Sequence, residues 1–117
     1  MTQWRGGGAD APIVQSATYT TVSDGTVVNG SATGAKWFGL QVTGVGATPT
    51  SWTVNLRGSA LASTGFVDLA THSNGTDGDG DFAWPSTPSL VNYFYVEVEA
   101  LTLGSATGIL VTVIAAN

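Results

Sequence analysis

The eight residues "YFYVEVEA", Tyr93 to Ala100, decide the fold. Phe94, Val96 and Val98 alternate with Tyr95, Glu97 and Glu99, a two-residue period that sends apolar groups to one side and polar groups to the other. Such a pattern predicts a half-buried antiparallel strand. "KWFGLQVT" (Lys36 to Thr43) repeats it, with Phe38, Leu40 and Val42 on one face and Trp37, Gly39, Gln41 and Thr43 on the other. "SWTVNLRG" (Ser51 to Gly58) turns Trp52, Val54 and Leu56 inward and Thr53, Asn55 and Arg57 outward. "SATYTTV" (Ser16 to Val22) alternates as well, and "GILVTVIA" (Gly108 to Ala115) is apolar enough to be covered on both faces. "FVDLAT" (Phe66 to Thr71) and "DFAW" (Asp81 to Trp84) are shorter strand candidates.

The connecting segments, among them "NGSATG", "ASTG", "SNGTDGDG" and "LGSATG", are rich in glycine and Asn-Gly or Asp-Gly pairs. These residues supply the backbone angles of tight turns. Seven or eight short strands separated by such turns predict an all-β fold, a single antiparallel β-sandwich or jelly-roll-like domain over residues 16–117. Residues 1–15 carry no clean period and are expected to form an extended N-terminal arm.

The 117 residues suit one domain. The absence of cysteine removes disulfides and thiolate chemistry together. Only 9% of residues are charged, against about 25% in an average soluble domain. Arg5, Lys36 and Arg57 face eight acids for a net charge of −5, so no basic face for nucleic acid is expected. No apolar run reaches the about 18 residues needed to span a bilayer as a helix, so no membrane role is expected. "MTQWRGGGADAP" opens the chain as a polar, glycine-rich stretch, so synthesis in a cytoplasm without a secretory leader is expected.

Few residues invite a chemical reading. Asp77, Asp79 and Asp81 alternate with glycines in "NGTDGDGDFAW" (Asn74 to Trp84), and carboxylates spaced in this way can offer oxygens to calcium. The helical-loop calcium motif requires a glutamate at its twelfth place, and counting from Asp77 that place holds Pro88. A mobile, solvent-facing hairpin loop without bound metal is therefore the expectation, its acids kept apart by mutual repulsion. His72, the single histidine, is expected at the surface beside a turn, with no second ligand for zinc and no nucleophile to serve. Glu97 and Glu99 lie about 7 Å apart on one strand face. With no cleft to desolvate either, a solvated face is the default over an acid/base pair. Asn29-Gly30-Ser31 and Asn74-Gly75-Thr76 match the glycosylation pattern, but each begins with an Asn-Gly turn pair. These readings predict no enzymatic activity and no cofactor. Among the tryptophans, Trp37 lies opposite the aliphatic face of its strand, the position of an interface anchor.

The stretch "WFGLQVTGVGATPTSWTVNLRGSALASTGFVDLATHSNGT" (Trp37 to Thr76) resembles small β-sandwich proteins encoded among the structural genes of tailed bacteriophages. In those proteins a W-x-V-x-L-x-G-S strand leads into a short insertion and an L-x-T-H strand. "YFYVEVEALTLGSATGILVTVIAAN" resembles their C-terminal strand pair. Discoidin-like carbohydrate-binding jelly rolls share W-x-V-x-L-x-G-S but usually follow it with Asp-Gly, where this chain has Ala60-Leu61-Ala62-Ser63. The resemblance implies a virion component made in the host cytoplasm, with a capsid decoration or cement protein as the first expectation. Its partners would be the major capsid protein or other virion proteins, and it would self-associate, with a trimer expected. In that role Trp4 and Ile13 would anchor the arm on a neighbour and Arg5 would meet an acidic patch, while Trp37 would join an interface. The alternatives are a tail, neck or fibre-associated β-domain, or a carbohydrate-binding adsorption module.

Overall fold

A computed structural model describes residues 13–30, 35–86, 88–89 and 91–116. Among these residues nine strands form, β1 (Ile13–Tyr19), β2 (Ser23–Asp24), β3 (Val28–Asn29), β4 (Trp37–Val45), β5 (Ser51–Ser59), β6 (Val67–Ser73), β7 (Phe82–Ala83), β8 (Tyr93–Thr102) and β9 (Gly108–Ala116). They make two antiparallel sheets. The first sheet has the order β1-β9-β4-β7; the second has β2-β8-β5-β6, with β3 also on β8. The fold is an all-β sandwich, as the alternation predicts.

The core lies between the sheets and is filled by the inward positions of the period. Phe38, Leu40 and Val42 of β4 meet Trp52, Val54 and Leu56 of β5 and Phe94, Val96 and Val98 of β8. All nine are buried, and the Phe38 and Phe94 rings stack at 5.2 Å, within the range of favourable aromatic pairs. β9 runs between β1 and β4, so Thr112 and Ile114 on its outer face are buried along with Ile109, Val111 and Val113 on its inner face.

β1 begins at Ile13, so residues 13–15 belong to the sheet rather than to an arm ending at residue 15. A register shift between Ile13 and Gln15 breaks the local alternation there, which is why the sequence pattern starts later than the strand. The remainder of the expected arm, with Trp4 and Arg5, lies outside the described residues.

Six of the eight connections cross from one sheet to the other; β2 to β3 and the β5–β6 hairpin stay within the second sheet. The segment from Asn74 to Asp81 is one of the crossings. It leaves β6 in the second sheet and enters β7 in the first, which corrects its reading as a hairpin loop.

Candidate functional site

The aspartate segment is held to the edge of β4. β7 pairs only with Leu40 and Gln41, which leaves the rest of that edge without a partner strand. Gly80 N donates to Val42 O at 2.7 Å, and Gly44 N donates to Asp79 Oδ1 at 2.7 Å. Thr48 Oγ1 donates to Asp79 Oδ2 at 2.7 Å, and Gln41 Nε2 donates to Gly80 O at 2.8 Å. Further along, Phe38 N donates to Ser89 Oγ at 3.2 Å and Ser89 N to Lys36 O at 2.7 Å. Backbone groups at a sheet edge need partners, and here a loop supplies them where a strand would.

The three carboxylates do not converge. Asp77 Oδ2 accepts from Ser73 N at 3.2 Å and Thr76 Oγ1 at 3.1 Å, whereas Asp81 Oδ2 accepts from Gly78 N at 2.9 Å. The Gly44 amide, with help from the Thr48 hydroxyl, holds the Asp79 carboxyl below its ordinary pKa. Among the described residues no group of three or more His, Cys, Asp or Glu side chains is placed to hold a metal ion. Repulsion does not extend this segment, because each carboxylate has found separate donors. The segment faces solvent as expected, but it is pinned to β4 and β6 by hydrogen bonds instead of being free.

His72 is fully buried, contrary to its expected place at the surface. It points inward from β6 beside Trp52, whose Nε1 donates to His72 Nδ1 at 2.9 Å. The indole N–H can only donate, so Nδ1 accepts and the ring proton sits on Nε2. Nε2 then donates to Asp81 O at 2.7 Å. The imidazole thus joins the core of the second sheet to the segment that enters β7, with both nitrogens engaged. Asn74 extends this corner, its Oδ1 accepting from Trp52 N at 3.0 Å. The Asn-Gly pair at Asn74 serves a turn, with Thr76 N donating to Ser73 O at 3.1 Å. Asn29 instead lies in β3 opposite Tyr93.

Glu97 and Glu99 meet on the outer face of the second sheet. Asn55 Nδ2 donates to Glu97 Oε1 at 2.9 Å and to Glu99 Oε1 at 2.7 Å, and Thr71 Oγ1 donates to Asn55 Oδ1 at 2.7 Å. Asn55 is an outward residue as its period requires, yet it is buried beneath these neighbours. Arg57 completes the network, 3.5 Å from Asp68 and 3.8 Å from Glu97. Its guanidinium also donates through Nη2 to Phe66 O at 2.9 Å. The arrangement pairs these charges within the chain, although the buried Arg57 Nε has no hydrogen-bond partner.

The outer face of the first sheet has no such network. None of the residues in β1, β4, β7 and β9 is charged. Trp37 is half-buried on this face, and Ile13 is 67% exposed at its edge. The pattern-based reading missed two aromatics beside them, Phe82 (50% exposed) and Trp84 (42%). Trp84 lies over Gly39, so closely that a β-carbon there would come within 2.7 Å of its ring. The glycine at an outward position of β4, opposite a strand candidate ending in tryptophan, was the available signal. A row Trp84–Gly39–Ile114–Ile13 therefore crosses the sheet, flanked by the more polar Phe82–Gln41–Thr112–Ser16.

The class so defined is a two-sheet antiparallel β-sandwich in which one sheet has no charge in its strands and carries the exposed side chains of Ile13, Phe82 and Trp84, while Val22, Val27, Leu61 and Val67 are exposed elsewhere. No protein-family model matches the sequence, and no curated protein matches it. Among solved structures the fold is similar to that of the SPBc2 prophage-derived protein YomS, with a TM-score of 0.53 at 14% sequence identity. The likeness covers 86% of this chain and 92% of that one and shows a shared fold.

Proposed function

We propose that the chain is a non-enzymatic structural protein of a bacteriophage virion, a capsid decoration or cement protein bound to the outside of an assembled shell. The observation that carries this reading is the sandwich fold shared with a prophage-derived protein over 86% of the chain. The treatment of polar groups supports it. His72 spends both ring nitrogens inside the fold, and Glu97 and Glu99 share the amide of Asn55. What remains for function is surface. The charge-free face of the first sheet offers apolar contact area, and its partners in this reading are capsid subunits and further copies of the chain. A β-sandwich of this kind strengthens a shell by covering the joints between subunits, not by turning over a substrate. Synthesis in the host cytoplasm and residence on the capsid surface follow from that role.

One observation favours a second reading, an adsorption module on a tail or fibre: the partly exposed indole of Trp84 lies on the sheet surface, where a sugar ring can stack. Cryo-electron microscopy of purified particles that encode the chain separates the two. Density for the sandwich in many copies on the capsid surface is the expected result. Density confined to the tail, joined by binding on a glycan array that Trp84→Ala abolishes, would transfer the assignment to the second reading. Absence of the chain from purified particles would overturn both.

A further inference from the structure

We infer that the outer face of the first sheet is the contact through which two copies of this chain pair face to face. The inference deepens the reading of the chain as an assembling structural protein and rests on it for its biological setting. Its physical basis is the unequal placement of charge.

The chain carries a net charge of −5, so any two copies repel unless they meet where charge is absent. The second sheet cannot be that place, because Arg57, Asp68, Glu97 and Glu99 occupy its outer side. The first sheet has no charged residue in any of its strands. When two first sheets pack, the charged outer faces of the second sheets lie three inter-sheet spacings apart. That separation is about 30 Å, several times the about 8 Å screening length at physiological salt. A strongly basic partner would gain nothing from this face, whereas a second copy of an acidic chain loses nothing there.

Size and shape agree with that occupant. β1, β4 and β9, of seven to nine residues each, and the two-residue β7 form a patch of roughly 450 Å² in projection. Two such patches would bury about 900 Å², the size of a weak, concentration-dependent interface. Symmetric pairing requires a self-complementary patch. A two-fold axis running along the strands lays the row from Trp84 to Ile13 against the same row of the other copy, the Trp84 edge over the Ile13 edge. In this arrangement the aspartate segment beyond β7 overlies the uncharged β1 edge, so Asp77, Asp79 and Asp81 do not meet their own counterparts.

Sedimentation equilibrium of the full chain over a wide concentration range tests the pairing. The wild type is expected to shift from its 11.9 kDa chain mass to twice that value as concentration rises. Ser16→Glu, at an exposed outward position of β1, should weaken the dimer at least tenfold by placing two like charges in the contact. Thr18→Glu, exposed on the same face, is the second variant should the first fail to fold. Val67→Glu adds the same charge at an exposed apolar position of the second sheet and should change the dimer constant less than twofold. A wild type that stays at 11.9 kDa at the highest concentration overturns the inference. So does any assembly, dimer or larger, that Val67→Glu weakens as much as Ser16→Glu. The experiment uses purified protein without particles, so its failure is distinguishable from failure of the virion assignment.

Discussion

The two outer faces of the sandwich follow the same two-residue period, yet they dispose of their side chains in opposite ways. On the second sheet Asn55, Thr71, Arg57, Asp68, Glu97 and Glu99 are linked to one another by hydrogen bonds and ion pairs. On the first, Trp84, Phe82 and Ile13 remain partly in water with no charge among the strands beneath them. A polar network closed within the chain has no need of a partner, whereas exposed aromatics gain free energy from whatever covers them. The low overall charge is therefore unevenly placed. The strands of one sheet carry no charge, the outer face of the other carries a linked set of four, and the aspartate segment lies at the first sheet's β4 edge.

The comparison depends on the two sheets keeping their relation, and His72 is the buried polar link between them. His72→Leu should cost the most, about 2–4 kcal/mol, because it leaves the buried Trp52 indole N–H without a partner and removes the tie to the Asp81 carbonyl. Urea denaturation of both proteins measures it; a loss under about 0.5 kcal/mol would show that the link bears no weight. Gly39→Ala strikes the first sheet alone. The added methyl meets the Trp84 ring and, at 3.0 Å, the Ala83 carbonyl, so it should cost about 1–3 kcal/mol and lift the indole from the sheet. Thermal melting reads the loss, and a shift in tryptophan emission reads the displaced ring.

Asn55→Ala is the matching change on the second sheet. It removes the amide shared by Glu97 and Glu99 and should cost about 1–2 kcal/mol while leaving self-association untouched. The smallest effect is expected at Asp79. Its carboxyl is held below the ordinary value, so its contribution is present in full above the unfolded pKa and is lost as pH falls through the lower folded one. Its exposure keeps the effect small. Asp79→Asn should flatten the acid limb of stability between about pH 5 and about pH 2, read from urea midpoints. An acid limb identical to that of the wild type would contradict the role given to the Gly44–Asp79 bond.

Alternation made the inward faces of β4, β5 and β8 legible, because the side chains of a strand carry their own period. Partners distant in the chain were not legible. Asp79 reaches Gly44 across 35 residues and Trp52 reaches His72 across 20, so neither bond leaves a local mark. His72 reads as a surface residue only while the sheet pairing is unknown; once β6 lies beside β5, its parity with Ala70 turns it inward. The aspartate spacing suggested a metal or a free loop for the same reason, since the donors that claim each carboxylate include groups from β4 and β6. Trp37 was legible as an outward aromatic of β4. Trp84 was not, because a two-residue strand such as β7 shows too little period to assign its face.

The two faces carry their own reporters: Phe82 and Trp84 on the first sheet, Phe66 and Tyr95, paired edge to face at 5.0 Å, on the second. Hydroxyl-radical footprinting at low and at high protein concentration therefore measures directly which side of the sandwich makes contact. Protection of Phe82 and Trp84 on association, with Phe66 and Tyr95 unchanged, is the predicted result. Protection of Phe66 and Tyr95 with Trp84 left open would contradict the assignment of the charge-free face as the surface on which this protein builds.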